Sequence, residues 1–216
     1  MDFAAARVKM VDNQIRTTDV TSHETLRAFL SVPREAFVPD ERKALAYIDS
    51  DIPLGNGRAL ISPSPLAKLI QLAEILPQDV VLDVGCGTGY SSAVLSHLAG
   101  SIVALEEDAD LAAKATKAFD ALGIVNVAVV TGPLKDGWAG EAPYDVIVFE
   151  GSVEALPKAH IDQLKDRGRL VVVERSGASG MAKLYTKEDG IISDRFAFNC
   201  HIPALPGFAK PREFVF

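Results

Sequence analysis

The chain has 216 residues, of which 48% are hydrophobic and 24% charged. This composition fits one globular domain and excludes a disordered chain. The formal net charge of -7 disfavours nucleic-acid binding, because phosphate contacts need clustered Lys and Arg. Two cysteines are too few for a disulfide framework or a cysteine-based zinc site. The sequence shows neither a secretory start nor an apolar run of bilayer length, so we expect a soluble cytoplasmic protein without membrane contact.

Helical patterns dominate the amino-terminal third of the chain. Apolar spacing predicts a helix over residues 4–15, and a capped second helix that starts near Ser22 and ends before Pro33. Residues 51–65 are rich in glycine and proline and are predicted to be a loop rather than a regular element. A helical pattern resumes over residues 66–76.

Short apolar runs alternate with helical patterns after residue 79. We predict strands over residues 80–84, 102–106, 127–131, 144–149 and 169–174. We predict helices over residues 90–98, 109–122 and 156–164, and a hairpin turn at residues 188–190. Strands that are apolar on both faces and separated by helices indicate an α/β fold. The predicted architecture is a Rossmann-like three-layer sandwich, preceded by amino-terminal helices, with a mostly parallel sheet and an antiparallel carboxy-terminal edge.

A glycine-rich segment follows the first predicted strand of the sheet. Residues 83–89 read Asp-Val-Gly-Cys-Gly-Thr-Gly, and Glu106 ends the next strand. Glycines permit positive φ angles and let backbone amides approach a ligand closely. Glu106 is placed to accept hydrogen bonds from both hydroxyls of a ribose. A tight turn without a ligand is the alternative that the glycines alone would allow.

The spacing of the glycines distinguishes two classes of cofactor. A dinucleotide-binding G-x-G-x-x-G pattern would need glycine at the position of Tyr90, whereas the third glycine is Gly89. The loop instead resembles the S-adenosylmethionine loop of Rossmann-like methyltransferases. Asp83 would place a negative charge near the cofactor's ammonium group, whereas that charge would be unfavourable in a pyrophosphate site.

A closer resemblance covers nearly the whole chain. Residues 32–39, Val-Pro-Arg-Glu-Ala-Phe-Val-Pro, resemble the signature that protein-L-isoaspartate O-methyltransferases carry before their sheet. Further similarity lies at Tyr47 and at residues 52–55, 61–62, 83–90, 168–171 and 214–216. The resemblance implies one domain over residues 1–216, in which residues 1–77 form a helical part with a substrate loop and residues 78–216 form a cofactor-binding sheet.

The same resemblance implies S-adenosylmethionine-dependent methylation of an isoaspartyl carboxylate in a peptide or protein, as a step in protein repair. Ser62 would donate a hydrogen bond to that carboxylate as the catalytic residue; capping the next helix is its alternative role. The implied cofactor-binding residues are Asp83, Gly85, Cys86, Gly87, Thr88, Gly89, Glu106, Glu107, Gly132 and Asp136. No metal ligand is expected, and the oligomeric state stays open.

Several positions depart from the family's pattern. Ala59-Leu60 stands where the family has Gln-Thr, so two hydrogen-bonding side chains are missing. Gly132-Pro133-Leu134 replaces Gly-Asp-Gly, and an acid appears only at Asp136. A methyltransferase with a different acceptor and a non-catalytic cofactor-binding module are therefore alternatives to the repair enzyme.

Some other polar and aromatic residues are expected to have structural roles. The four histidines lack a metal-ligand spacing and are expected to be surface or capping residues. Arg34 and Glu35 are expected on a solvated face. Cys86 is expected to be a small buried residue without a nucleophilic role, and Trp138 and Tyr144 are expected to pack in the core rather than stack on adenine.

Overall fold

A computed structural model describes residues 1–177 and 179–210 of the chain, so the similarity at residues 214–216 lies outside the described part. The helices are α1 (Phe3–Met10), α2 (His23–Ser31), α3 (Pro63–Leu72), α4 (Tyr90–Leu95), α5 (Ala109–Leu122) and α6 (Lys158–Asp162). The strands are β1 (Ile52–Gly55), β2 (Arg58–Leu60), β3 (Val80–Val84), β4 (Ser101–Glu106), β5 (Val127–Thr131), β6 (Tyr144–Val153), β7 (Leu164–Ser176), β8 (Ser179–Glu188) and β9 (Ile191–Asn199).

Seven strands form one sheet in the order β5-β4-β3-β6-β7-β8-β9. The pairs from β5 to β7 are parallel, and β8 and β9 add an antiparallel edge. The predicted α/β class with its antiparallel carboxy-terminal edge is confirmed. The connections after β3 lead to β4 on one side and eventually to β6 on the other. The carboxyl ends of β3 and β6 therefore border the crevice in which open α/β sheets bind ligands.

Local signals account for the elements that matched their predicted bounds most closely. Helix α5 begins where the Asp108 carboxylate accepts hydrogen bonds from the Asp110 and Leu111 amides, and it ends at Gly123 with φ of +67°. Helix α2 begins after Ser22, whose side chain accepts a hydrogen bond from the Thr25 amide. These caps satisfy backbone groups that have no partner inside the helix.

The prediction of an irregular loop over residues 51–65 was wrong. Strands β1 and β2 form a two-stranded hairpin there, with Ile52 opposite Leu60. Its turn contains Asn56 and Gly57, both at positive φ, which is the dipeptide that tight hairpins favour. The hairpin carries side chains from the amino-terminal part towards the glycine-rich loop.

Other predicted bounds were displaced by a few residues. The predicted first helix is α-helical only to Met10 and continues as a π-helix over Val11–Ile15. Helix α3 starts earlier than predicted, because Pro63 suits its first turn, and it ends before Glu74 at positive φ. Helices α4 and α6 are shorter than predicted. Strands β6 and β7 are longer, because their pairing continues past the apolar runs.

Apolar residues cover both faces of the sheet. On one face, Phe29 and Leu66 of the amino-terminal helices belong to the same buried cluster as Val146 of β6. On the other face, Ile147 lies in a second cluster with Leu205 of the carboxy-terminal segment. Among the described residues, no helix has the length and apolar character needed to cross a bilayer.

Two polar residues that we expected at the surface are buried. Arg34 is fully buried, donates to the carbonyl oxygens of Ala46 and Ile61, and lies 4.6 Å from the Tyr90 ring centroid. His160 is also fully buried. These predictions were wrong because both side chains find backbone acceptors inside the fold, which no local pattern reveals.

His160 makes the stability of the fold depend on pH. Its Nε2 lies 3.0 Å from the Leu134 carbonyl oxygen, and its ring packs on Phe149. Burial lowers the pKa of His160 to about 4. The unfolded chain takes up this proton first, near the ordinary value of about 6.5. The stability contributed by the neutral ring is therefore complete above pH 6.5 and is lost as the pH falls towards 4.

We predict that replacing His160 with Gln removes this part of the pH dependence. Between pH 7 and pH 4, the wild type should lose about 3 kcal/mol more of its free energy of unfolding than His160→Gln does. Urea unfolding at several pH values measures the difference. Replacement of the exposed His97 with Gln is the control, and an equal pH dependence in His160→Gln and the wild type would contradict the assignment.

Candidate active site

The glycine-rich loop connects β3 to α4 at the carboxyl end of the sheet. Gly85, Gly87 and Gly89 all have positive φ, at +81°, +59° and +95°. The Gly85 and Cys86 amides both donate to the Leu105 carbonyl oxygen, which ties the loop to β4. Side chains with a Cβ rarely adopt these φ angles, so the loop requires glycine for its shape.

The side chains of Cys86 and Thr88, which lie between these glycines, are buried. The Thr88 hydroxyl donates to the Phe37 carbonyl oxygen, which joins the loop to the amino-terminal part. Cys86 is buried as expected, and burial raises the pKa of its thiol well above the ordinary value. The thiol is therefore protonated at neutral pH, which agrees with the expectation of no nucleophilic role.

The Glu106 carboxylate lies at the carboxyl end of β4 and is fully buried. One oxygen accepts hydrogen bonds from the Glu107 and Asp108 amides, at 2.9 and 3.1 Å. The other accepts from the Gly87 amide at 2.7 Å and from Nη2 of Arg58 at 3.0 Å. The carboxylate is thus already surrounded by donors, and its contact with a ribose stays a prediction.

Arg58 is the residue of this site that sequence analysis missed. It comes from β2, its side chain is 4% exposed, and its Nη2 also donates to the Gly85 carbonyl oxygen at 2.5 Å. A sequence signal existed, because Arg58 occupies an inward position of a strand whose other inward residue, Leu60, is apolar. Because residues 51–65 were predicted to be an irregular loop, the alternation of inward and outward positions along β2 was not considered.

Two further carboxylates lie at the carboxyl ends of neighbouring strands. Asp83 of β3 is fully buried, and its Oδ2 accepts hydrogen bonds from the hydroxyls of Ser91 and Ser92. Burial raises the pKa of Asp83 to about 6, and the two serine hydrogen bonds oppose this shift. Burial, together with the charge of Asp83, raises the pKa of Glu150 of β6 well above its ordinary value. Burial therefore favours the neutral forms of these two carboxyl groups, whereas a positive charge beside them would favour their ionised forms.

Two of the residues predicted to bind the cofactor, Gly132 and Asp136, lie on the loop after β5. The Gly132 amide donates to the Glu106 carbonyl oxygen, and a Cβ at Gly132 would lie 3.2 Å from the Trp138 ring. The Asp136 side chain is exposed, and the neighbouring Leu134 is the residue of this loop that lines the adjacent cavity. The roles of Gly132 and Asp136 remain predictions.

Ser62 lies at the junction of β2 and α3. It is half-buried, its amide donates to the Asp51 carboxylate at 2.8 Å, and its hydroxyl makes no capping hydrogen bond to α3. The hydroxyl is therefore not used by the helix that follows it. Its role toward a substrate stays a prediction.

The site fits the nucleoside part of S-adenosylmethionine. A cavity of about 250 Å³ lies beside the carboxyl end of β4. Its lining consists of Asn56, Arg58, Glu106, Glu107, Asp108, Leu134 and Pro206. The acidic side chains at this edge offer acceptors for ribose hydroxyls, which is the role predicted for Glu106, and Glu107 was predicted to bind the cofactor as well. Among the described residues, no cluster of His, Cys, Asp or Glu is arranged to hold a metal ion.

Comparison with known proteins identifies the family. A model of the protein-L-isoaspartate(D-aspartate) O-methyltransferase family matches residues 5–205. The chain belongs to this family. A protein-L-isoaspartate O-methyltransferase of Koribacter versatilis is 38% identical over 205 residues, which cover 95% of this chain and 92% of that protein. The resemblance seen in the sequence is confirmed, and with it the methyltransferase class and the family's cofactor, S-adenosylmethionine.

Solved structures of the family share this architecture. One protein-L-isoaspartate O-methyltransferase aligns with a TM-score of 0.82 at 26% identity, over 93% of this chain and 66% of its own. A candidate protein-L-isoaspartate O-methyltransferase of Plasmodium falciparum, in complex with S-adenosyl-L-homocysteine, aligns with a TM-score of 0.79 at 19% identity. That alignment covers 92% of this chain and 97% of the other, and supports the fold.

We predict that Gly89 matters mainly for the stability of the fold and Gly87 mainly for cofactor binding. A Cβ at Gly89 would lie 2.6 Å from the Phe119 ring, whereas a Cβ at Gly87 would meet only the mobile end of Leu54, at 3.1 Å. Gly89→Ala should lower the free energy of unfolding by about 3 kcal/mol, from overpacking and backbone strain together. Gly87→Ala should lower it by about 1 kcal/mol.

Urea unfolding followed by circular dichroism compares the two variants. Calorimetry with S-adenosyl-L-homocysteine then tests Gly87→Val, which should fold and lose cofactor binding. Equal stability losses for the two alanine variants, or normal cofactor binding by Gly87→Val, would refute this division of roles.

Proposed function

We propose that this chain methylates isoaspartyl carboxylates in peptides or proteins, with S-adenosylmethionine as the methyl donor. The observation that carries the proposal is the family match over residues 5–205, nearly the whole chain. The geometry adds support, because the glycine-rich loop and Glu106 lie together at the ligand-binding edge of the sheet. We further propose a cytoplasmic location, which suits the free, buried thiols of Cys86 and Cys200.

The chemistry needs alignment more than acid–base catalysis. When bound, S-adenosylmethionine supplies an electrophilic methyl group. A substrate carboxylate has a pKa near 4 and is already ionised at neutral pH, so the protein need not remove a proton from it. The protein instead has to hold the acceptor oxygen in line with the methyl group and exclude water.

Ser62 is the side chain that we assign to orient the acceptor. Its position between β2 and α3 is fixed by the hydrogen bond from its amide to Asp51. Its hydroxyl remains available because it does not cap α3. A hydrogen bond from this hydroxyl would select one direction of attack for the carboxylate.

The altered substrate region favours a second candidate function. Leu60, one of the two residues that replace the family's Gln-Thr, is buried against the fold and has no polar group to offer. The backbone of Ser152 in β6 hydrogen-bonds with Pro203 and Leu205, so the carboxy-terminal segment lies against the end of this strand. A methyltransferase with a different acceptor is therefore the alternative. Cofactor binding without transfer to any acceptor would point to a non-catalytic module.

Transfer of a labelled methyl group separates these possibilities. The assay compares an isoaspartyl peptide with the same peptide carrying a normal aspartyl residue. Transfer to the isoaspartyl peptide alone supports the proposal. Cofactor binding with no transfer to that peptide would overturn it in favour of another acceptor or of the binding module.

We predict that Ser62→Ala lowers methyl transfer without weakening cofactor binding. The loss should be about 10- to 100-fold, the effect of one hydrogen bond to a charged group. Calorimetry with S-adenosyl-L-homocysteine checks the binding, and Ser31→Ala, at an exposed position of α2, is the control. Unchanged transfer by Ser62→Ala would remove this serine from the mechanism.

A further inference from the structure

Two side chains of the protein fill the space directly over the first glycine of the loop. A Cβ placed on Gly85 would lie 2.8 Å from Cδ2 of Leu205 and 2.9 Å from Nη2 of Arg58. Positive φ and close backbone approach at such a glycine are the features that admit a ligand. Here the protein's own residues take that position.

Arg58 uses two acceptors that a cofactor would need. Its Nη2 contacts one oxygen of the Glu106 carboxylate and the Gly85 carbonyl oxygen. S-adenosylmethionine carries an ammonium group and ribose hydroxyls, which donate hydrogen bonds to acceptors of this kind. It also carries a positively charged sulfonium. The guanidinium therefore occupies the place of a cationic ligand.

The hydrogen bonding of the Arg58 guanidinium is incomplete. Its Nε is buried and has no hydrogen-bond partner within the described part of the chain. The buried Arg34 also leaves one nitrogen, Nη1, without a partner, although its Nε donates to the Ala46 carbonyl oxygen. An unpaired buried donor is costly, and this cost offsets part of what Arg58 gains from its bonds to Glu106 and Gly85.

Leu205 reaches the site because the carboxy-terminal segment returns to the end of β6. The Ser152 amide donates to the Pro203 carbonyl oxygen at 2.8 Å, and the Leu205 amide donates to the Ser152 carbonyl oxygen at 2.9 Å. A Cβ on Gly151 would lie 2.7 Å from Cγ of Leu205, so the leucine covers two glycines at once.

We propose that Arg58 and Leu205 close the part of the cofactor pocket between Gly85 and Glu106, and that Arg58 sets the preference of the pocket between the cofactor and its product. The inference rests on the proposed function. For the cofactor to enter, Arg58 has to leave Glu106 and Gly85, and Leu205 has to swing away. A displaced guanidinium nearby repels the sulfonium of S-adenosylmethionine but not the neutral thioether of S-adenosyl-L-homocysteine.

Binding of both compounds to matched variants tests the closure. Arg58→Gln removes the guanidinium charge, and Leu205→Ala removes the cover but keeps the ion pair. Arg169→Gln is the control, because it breaks another partly buried pair, with Asp79, at the amino end of β3. Isothermal titration calorimetry with S-adenosylmethionine and with S-adenosyl-L-homocysteine measures affinity without any turnover.

We predict that Arg58→Gln binds S-adenosyl-L-homocysteine at least about tenfold more tightly than the wild type, because one charge-assisted hydrogen bond no longer has to break. Its gain for S-adenosylmethionine should be larger still. Leu205→Ala should gain several-fold for both compounds, and Arg169→Gln should bind like the wild type. Equal affinities in the wild type, Arg58→Gln and Leu205→Ala would overturn the closure.

Hydrogen exchange of the wild type gives a second test that does not depend on a folded variant. Saturation with S-adenosyl-L-homocysteine should speed exchange at the Leu205 amide, as the segment leaves Ser152. The Gly87 amide should become more protected. Greater protection at both amides would overturn the closure.

The two proposals fail in different ways. Tight binding by all variants would overturn the closure and leave the methyltransferase function intact. Tighter binding by Arg58→Gln without transfer to an isoaspartyl peptide would support the closure and overturn the proposed acceptor. Absence of binding in every variant would overturn both.

Discussion

The hydrogen bonds to the Glu106 carboxylate organise the whole site. A buried carboxylate costs several kcal/mol unless donors replace the water that it loses. Here three backbone amides and one guanidinium replace it, and they come from the glycine-rich loop, the start of α5 and the β1–β2 hairpin. One charge therefore fixes three segments relative to the end of β4. The three amide bonds do not involve Arg58, so the carboxylate has donors of its own besides the guanidinium.

The same region brings acidic groups together near the carboxyl end of the sheet. Asp83 and Glu150 lie on the adjacent parallel strands β3 and β6, and burial raises the pKa of both, which favours their neutral forms. Arg58 forms a buried ion pair with Glu106, and its charge opposes the effect of burial on Asp83 and Glu150. Acidic groups in this arrangement suit a cationic group, such as a guanidinium or a sulfonium.

The cofactor half and the acceptor half of the site differ in how closely they follow the family. The glycine-rich loop keeps the family's pattern, and its three positive φ angles depend on it. In the acceptor half, the inward position of Leu60 is apolar. The chain thus keeps the family's type of methyl donor, whereas its acceptor region lacks two hydrogen-bonding side chains of the family's pattern. The identity of the acceptor is therefore the property that experiment has most to decide.

Patterns within short stretches of the chain predict most of the helices and strands and the α/β class. The bounds of β3, β5 and α5 were predicted correctly, because apolar runs, an Asp cap and a terminal glycine act over a few residues. The family also followed from motifs that are contiguous in the chain. The Asn56-Gly57 pair is a hairpin signal of the same local kind, but the glycines and prolines around it also predict an irregular loop.

The side chains that meet at the site come together through contacts between distant parts of the chain. Arg58 lies 27 residues before Gly85 in the chain, yet it donates to the Gly85 carbonyl oxygen. Leu205 comes from the opposite end and reaches the same glycine through the pairing at Ser152. Burial of Arg34 and His160 likewise depends on carbonyl groups distant in sequence. Such contacts depend on the order of strands in the sheet and on desolvation of the crevice, and no pattern along the chain encodes either of them.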